Sequence, residues 1–181
     1  MSLRNTSQKY GKITIMIHWL MALIIISLIA VGFYMHGLED GAPKWAIYDL
    51  HKATGFIVLL LALFRWYWML TSQKLTPLAS FSKFDIKASI LSKWLLMSLI
   101  LLMPLSGFLM SVATGKALSI YGLFNIPSLM EQNKPLAGFF HSMHGYLAWA
   151  ITTVVALHII FAFKHHLIRK DDTLNRMLAR K

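Results

Sequence analysis

The stretch His144–Met177, HGYLAWAITTVVALHIIFAFKHHLIRKDDTLNRM, decides the fold. From His144 to Phe163 it carries no Asp, Glu, Lys or Arg, and then Lys164, Arg169 and Lys170 arrive together. A helix needs roughly 20 such residues to cross a hydrocarbon core of about 30 Å, and Lys and Arg gather on the cytoplasmic side of a bilayer. The stretch therefore reads as a spanning helix that leaves the membrane into a basic cytoplasmic tail. His144 and His158 are 14 residues apart. At about 100° per residue they share nearly one face, roughly 21 Å apart along the axis.

Working outward, three more segments are long and apolar enough to span, near Ile13–Tyr34, His51–Leu70 and Ser89–Ala113. Arg4, Lys9 and Lys12 precede the first, as in a signal peptide, but its apolar run is too long for an h-region and no small-x-small site follows. It reads as an uncleaved helix. Of 181 residues 57% are apolar and 14% charged, against roughly 45–50% and about 25% in soluble domains. The length fits one domain, residues 1–181, with no separate soluble catalytic module.

The net charge of +11 has a topological explanation. Basic residues cluster at the N-terminus, in the second connection (Lys74, Lys83, Lys87, Lys93) and in the tail (Lys164, Arg169, Lys170, Arg176, Arg180, Lys181). The other side has Lys44, Lys116 and Lys134, Lys52 at a helix start, and the acidic Glu39, Asp40, Asp49 and Glu131. The expected fold is all-α and integral to the membrane. Four transmembrane helices form an up-down-up-down bundle with both termini cytoplasmic. Trp19, Trp45, Trp66, Trp68 and Trp94 lie near span ends, where amphipathic rings prefer the interface. Pro104 and Gly107 should weaken or kink the third helix, and the loop over residues 114–137 has room for a short interfacial helix.

An ionisable group inside a span costs at least a few kcal/mol and usually has a partner and a task. His18 and His158 lie equally far from the cytoplasmic ends of helices one and four, so they share a depth. His51 and His144 share another, at the outer starts of helices two and four. Each level offers two imidazoles, too few for zinc but suited to the axial positions of a planar macrocycle. The reading is two non-covalent b-type haems (iron protoporphyrin IX), each held by two histidines. With no cysteine in the chain, thioether-attached haem, Fe–S clusters and disulfides are excluded. Ala53, Gly55, Gly145, Ala148, Ala150 and Ala156 would leave room near the ligands. Arg65, 14 residues after His51, faces the inner site, where it either meets haem propionates or snorkels to the surface. His36 is on the face of His18 and rivals His51; His141, read as a loop residue, precedes His144 by one turn; His165 and His166 form a cationic cap.

These stretches resemble the prokaryotic cytochrome b561 family of four-helix, di-haem quinol oxidoreductases. The resemblance runs through IMIHWLMAL around His18, YDLHKATGFIVLLLALFRW with His51 and Arg65, and the His144–Met177 stretch with its double histidine and acidic pair. It implies that His18 and His158 hold the inner haem and His51 and His144 the outer one. It also implies that membrane quinone is the partner and the bacterial inner membrane the location, and for some members superoxide is a donor.

The expected function is transmembrane electron transfer between the haems, exchanging electrons with quinone near one of them, with Lys52, His165 and His166 as candidate quinone contacts. A cytochrome b subunit anchoring a larger dehydrogenase or hydrogenase shares this logic, but the chain shows no partner-binding extension. A metal or proton transporter would want intramembrane carboxylates, and none of the 7 acidic residues falls mid-span. No P-loop, H-E-x-x-H or nucleophile motif appears, and topology accounts for the basic charge without nucleic acid.

Overall fold

A computed structural model describes residues 2–179. Arg180 and Lys181, which add to the basic tail, lie outside the described residues. Four long helices, α1 (Lys12–His36), α2 (Ala42–Thr71), α3 (Lys83–Ala113) and α4 (Lys134–Phe163), run up and down in sequence order. Each is long and apolar enough to cross a membrane. A hairpin of β1 (Leu118–Ile120) and β2 (Phe124–Ile126) follows α3. A π-helical turn (Lys164–Arg169) continues α4 and a short α5 (Thr173–Leu178) closes the chain.

The helix starts follow from local chemistry. At α3 the Ser82 side chain accepts from the Asp85 N–H while the Asp85 carboxylate accepts from the Ser82 N–H, satisfying two orphan donors at once. At α4 the Asn133 side chain accepts from Leu136 N–H, and Pro135 sits in the first turn, where its missing N–H is not needed. α2 opens with Pro43 in the same role. α3 stays helical through Pro104.

Ile17, Met21, Val58, Ala62, Met97, Leu99, Ile100 and Ile151 form the core, drawn from all four long helices. Leu23, Leu60, Leu63, Leu91 and Phe161 stay exposed, as expected of faces solvated by lipid tails. Indole N–H groups tie helices together: Trp66 donates to the Met97 carbonyl at 2.8 Å and Trp68 to Thr14 Oγ1 at 3.0 Å.

Three expectations need correction. The 114–137 loop contains the hairpin rather than an interfacial helix. Tyr121 (φ 53°) and Gly122 (φ 73°) take the left-handed turn conformation, and Tyr121 Oη donates to Thr54 Oγ1 at 3.0 Å. Leu118 and Ile120 pack on Ala53, so Ala53 seats the hairpin instead of making room for a ligand. The outer helix starts lie earlier than read: α2 begins at Ala42 and α4 at Lys134, so His51, Lys52, His141 and His144 are all inside helices.

Candidate functional site

The bundle brings the four expected histidines into two pairs. His18 of α1 faces His158 of α4 with ring centroids 6.2 Å apart, and His51 of α2 faces His144 of α4 at 6.5 Å. Two imidazoles bound trans to one metal at about 2 Å metal–nitrogen distances stand about 6 Å apart between centroids, so both gaps have the width of a bis-histidine site. In both pairs the rings stand edge to face, with interplanar angles of 65° for His18–His158 and 84° for His51–His144. His51 Nδ1 is buried without a hydrogen-bond partner. A buried polar atom left unpaired is costly, which is expected where the partners are incomplete.

Around the His51–His144 level a long apolar cleft opens between the helices. Its walls include Ile25, Phe33, Phe56, Pro104, Phe108 and Trp149. Gly55, Gly145 and Ala148 line it, as expected of positions that keep room for a large ligand. His36 and His141 also line this cleft, as do Tyr48 and Lys52, but neither histidine forms one of the facing ring pairs. Ala150 and Ala156 are exposed and do not line it.

Three residues that spacing did not single out shape this level. A Cβ on Gly32 of α1 would lie 3.5 Å from His51 Cε1, and one on Gly107 of α3 would lie 3.0 Å from His144 Cε1. Ser106 Oγ stands 2.9 Å from His144 Nδ1. A signal for Gly32 was present, since it follows His18 by 14 residues and so faces the same way one level up. Ser106 and Gly107 are on the helix without histidine, and only packing against α4 reveals them.

At the other level Arg65 reaches into the bundle, and its Nη2 lies 3.2 Å from His18 Nδ1. Tyr10 sits close by; burial raises its phenol above the ordinary value against the opposing pull of the Arg176 and Arg65 guanidiniums. Beyond this level the chain folds back on itself. His165 Nδ1 is 2.6 Å from Asp171 Oδ2, Phe81 packs on the His165 ring, and Trp19 donates to the Met177 carbonyl at 2.9 Å. Arg176 donates to the Thr76 carbonyl at 3.0 Å, and Arg169 pairs with Asp85 at 2.8 Å. Burial opposes ionisation of Asp171, but hydrogen bonds from His165 and Thr173 outweigh it and hold the carboxyl below its ordinary value.

The donor set, the width of both gaps and the open cleft fit b-type haem. Among the described residues no cluster of three or more His, Asp or Glu is placed to hold a bare metal ion.

Residues 9–180 match the family described as prokaryotic cytochrome b561. The chain is 35% identical over 182 residues to cytochrome b561 homolog 2 of Escherichia coli (strain K12), covering 99% of this chain and 96% of that one. It is 26% identical to a probable superoxide oxidase CybB of Yersinia pestis, covering 96% of this chain and 98% of that one. Cytochrome b561 homolog 1 of Escherichia coli (strain K12) is 24% identical, with 96% and 98% covered.

Proposed function

Starting from the fact that the chain belongs to the prokaryotic cytochrome b561 family, and is thus a multi-pass bacterial membrane cytochrome of b-type haem, we propose that it carries electrons across the inner membrane through two haems and exchanges them with membrane quinone. The observation that carries this reading is the presence of two facing histidine pairs, 6.2 and 6.5 Å between ring centroids, stacked along α4. His18 and His158 would hold one haem, and His51 and His144 the other. The whole chain forms one di-haem unit. The excess of Lys and Arg at the end bearing both termini makes that end cytoplasmic.

Haem iron, when bound, supplies a one-electron couple whose potential the protein sets through axial ligands, hydrogen bonds and burial. His18 with His158, and His51 with His144, would each give a haem two protein ligands, which suits electron relay rather than binding of a substrate to iron. Arg65 offers a guanidinium to haem propionates at the His18–His158 level; within this span it meets a histidine and no carboxylate. Oxidation of a quinol releases two electrons and two protons, and a haem accepts neither proton. A base is needed at the quinone, and His165, oriented by Asp171 beyond the same level, is the side chain we place in that role. At the opposite end Lys44 and Lys52 are paired with Asp40 and Asp49 at 2.9 and 2.7 Å.

The test is a reduced-minus-oxidised spectrum of the purified protein with a pyridine haemochrome count per chain. Two low-spin b haems per chain are expected, together with their reduction by a quinol. One haem or none overturns the di-haem reading, and two haems inert to quinol overturn the choice of partner.

A further inference from the structure

The side chain that the di-haem reading leaves without a task is Ser106. It lies inside α3, its surface is fully buried (0% exposed), and α3 supplies no histidine. A buried hydroxyl needs partners, and Ser106 has two. Its Oγ donates to the Met103 carbonyl at 2.7 Å, one turn back along its own helix, and lies 2.9 Å from His144 Nδ1. A hydroxyl has one proton. With that proton on the Met103 carbonyl, Ser106 meets the imidazole as an acceptor, so His144 carries its proton on Nδ1 and keeps a bare lone pair on Nε2. The lone pair is what a metal requires.

The neighbouring residue completes the seat. A Cβ on Gly107 would stand 3.0 Å from Cε1 and 3.2 Å from Nδ1 of His144, closer than ordinary van der Waals contact. Glycine lets the ring lie flat enough on α3 to reach Ser106. The other ring at this level has no such support, since His51 Nδ1 is buried without a partner. At the second level the neighbour of His18 Nδ1 is the Arg65 guanidinium, 3.2 Å away, and not a hydroxyl.

We propose that Ser106 is a positioning residue for the haem at the His51–His144 level, holding the His144 ring in one tautomer and one orientation and raising its basicity as a ligand. The inference rests on the reading of His144 as an axial ligand. An N–H···O bond behind a metal-bound imidazole increases electron donation to the metal, and loss of such a partner typically weakens metal binding by about 10–100-fold. The expected consequence is a lower midpoint potential for this haem than it would have without Ser106, with no effect on the other.

The experiment is a spectroelectrochemical titration of the full-length protein with low-spin EPR, on wild type and on His144→Ala, Ser106→Ala, Ser106→Thr and Gly107→Ala. His144→Ala comes first: retention of two haems would remove the ligand reading itself. With one haem lost there, Ser106→Ala should raise one midpoint, shift one of the two low-spin signals and weaken retention of that haem by about 10–100-fold. Ser106→Thr, which keeps a hydroxyl, should stay near wild type. If Ser106→Ala leaves both midpoints and both EPR signals unchanged, the proposal is overturned. Should Ser106→Ala fail to fold, Gly107→Ala decides, because it keeps the hydroxyl and crowds the ring: a shift confined to one haem supports the assignment, and two unchanged haems overturn it.

Discussion

Arg65 Nη2 stands 3.2 Å from His18 Nδ1, and among the described residues no carboxylate forms an ion pair with it. A guanidinium this far inside a spanning helix is expensive unless an anion compensates it. Arg65→Leu is expected to weaken retention of the haem at the His18–His158 level by about tenfold or more, on the scale of lost outer-shell partners. Arg65→Lys keeps the charge but loses the planar fork, so it should fall in between. Haem per chain after detergent washing measures this, and full retention in Arg65→Leu would show that the side chain merely reaches for the membrane surface.

The four facing histidines should behave as two couples. His51→Ala and His144→Ala are expected to remove the same haem, and His18→Ala and His158→Ala the other. His36→Ala and His141→Ala should keep both haems, because neither ring stands in a facing pair. Difference spectra with a haemochrome count read the outcome, and a full complement in His51→Ala with a loss in His36→Ala would reassign that level.

The cleft wall makes a graded prediction. A methyl on Gly32 would meet His51 Cε1 at 3.5 Å, an ordinary contact, so Gly32→Ala should bind both haems. Gly32→Leu would push into the ring and should cost the haem at that level alone. Equal occupancy in the two variants, measured by the same count, would show that this wall has slack.

Asp171 predicts a pH dependence. Its carboxyl is held below the ordinary value of 3.8, so the folded state binds its proton more weakly than the unfolded state does. The stabilisation is present above 3.8 and fades as pH falls through the lower folded value. Wild type should therefore melt above Asp171→Asn at neutral pH, with the gap closing as pH falls below about 4. A gap that widens on acidification would contradict the assignment. As His165 is the base placed at the quinone, Asp171→Asn should also slow reduction by quinol without changing haem content.

Two glycines near the hairpin should differ. Gly122 (φ 73°) faces open space, so alanine there meets only backbone strain of about 1–2 kcal/mol. Gly115 (φ 71°) has the same strain, and a Cβ would also lie 2.8 Å from the Gln132 backbone nitrogen. Gly115→Ala should lower the melting temperature more than Gly122→Ala, and the reverse order in thermal melts would place the strain elsewhere.

Much of the bundle could be read from one property, uninterrupted apolarity, because a bilayer demands it over about 30 Å. The depth-matched facing of His18 with His158, and of His51 with His144, was legible for a related reason: helix rise and twist are fixed, so residue counts convert to positions. What could not be counted was missed. The 114–137 loop is apolar enough for either an interfacial helix or strands, and its turn depends on Tyr121 and Gly122 adopting positive φ. The true start of α4 was marked by Asn133 and Pro135, a capping signal that the long apolar run overshadowed. Ser106 and Gly107 matter through a neighbouring helix, and their own spacing contains no trace of it.

α4 continues through the π-helical turn as one rod from Lys134 to Arg169, 36 residues long, and both of its paired histidines are on that rod. Tilting or breathing of the other three helices can change how each partner ring approaches, but it cannot stretch the roughly 21 Å between His144 and His158. One helix therefore sets the interval between the two histidine levels, whatever the other three helices do. An insertion of one residue between His144 and His158 would rotate one level by about 100° and lose this calibration altogether, whereas the same insertion in the hairpin would leave it untouched.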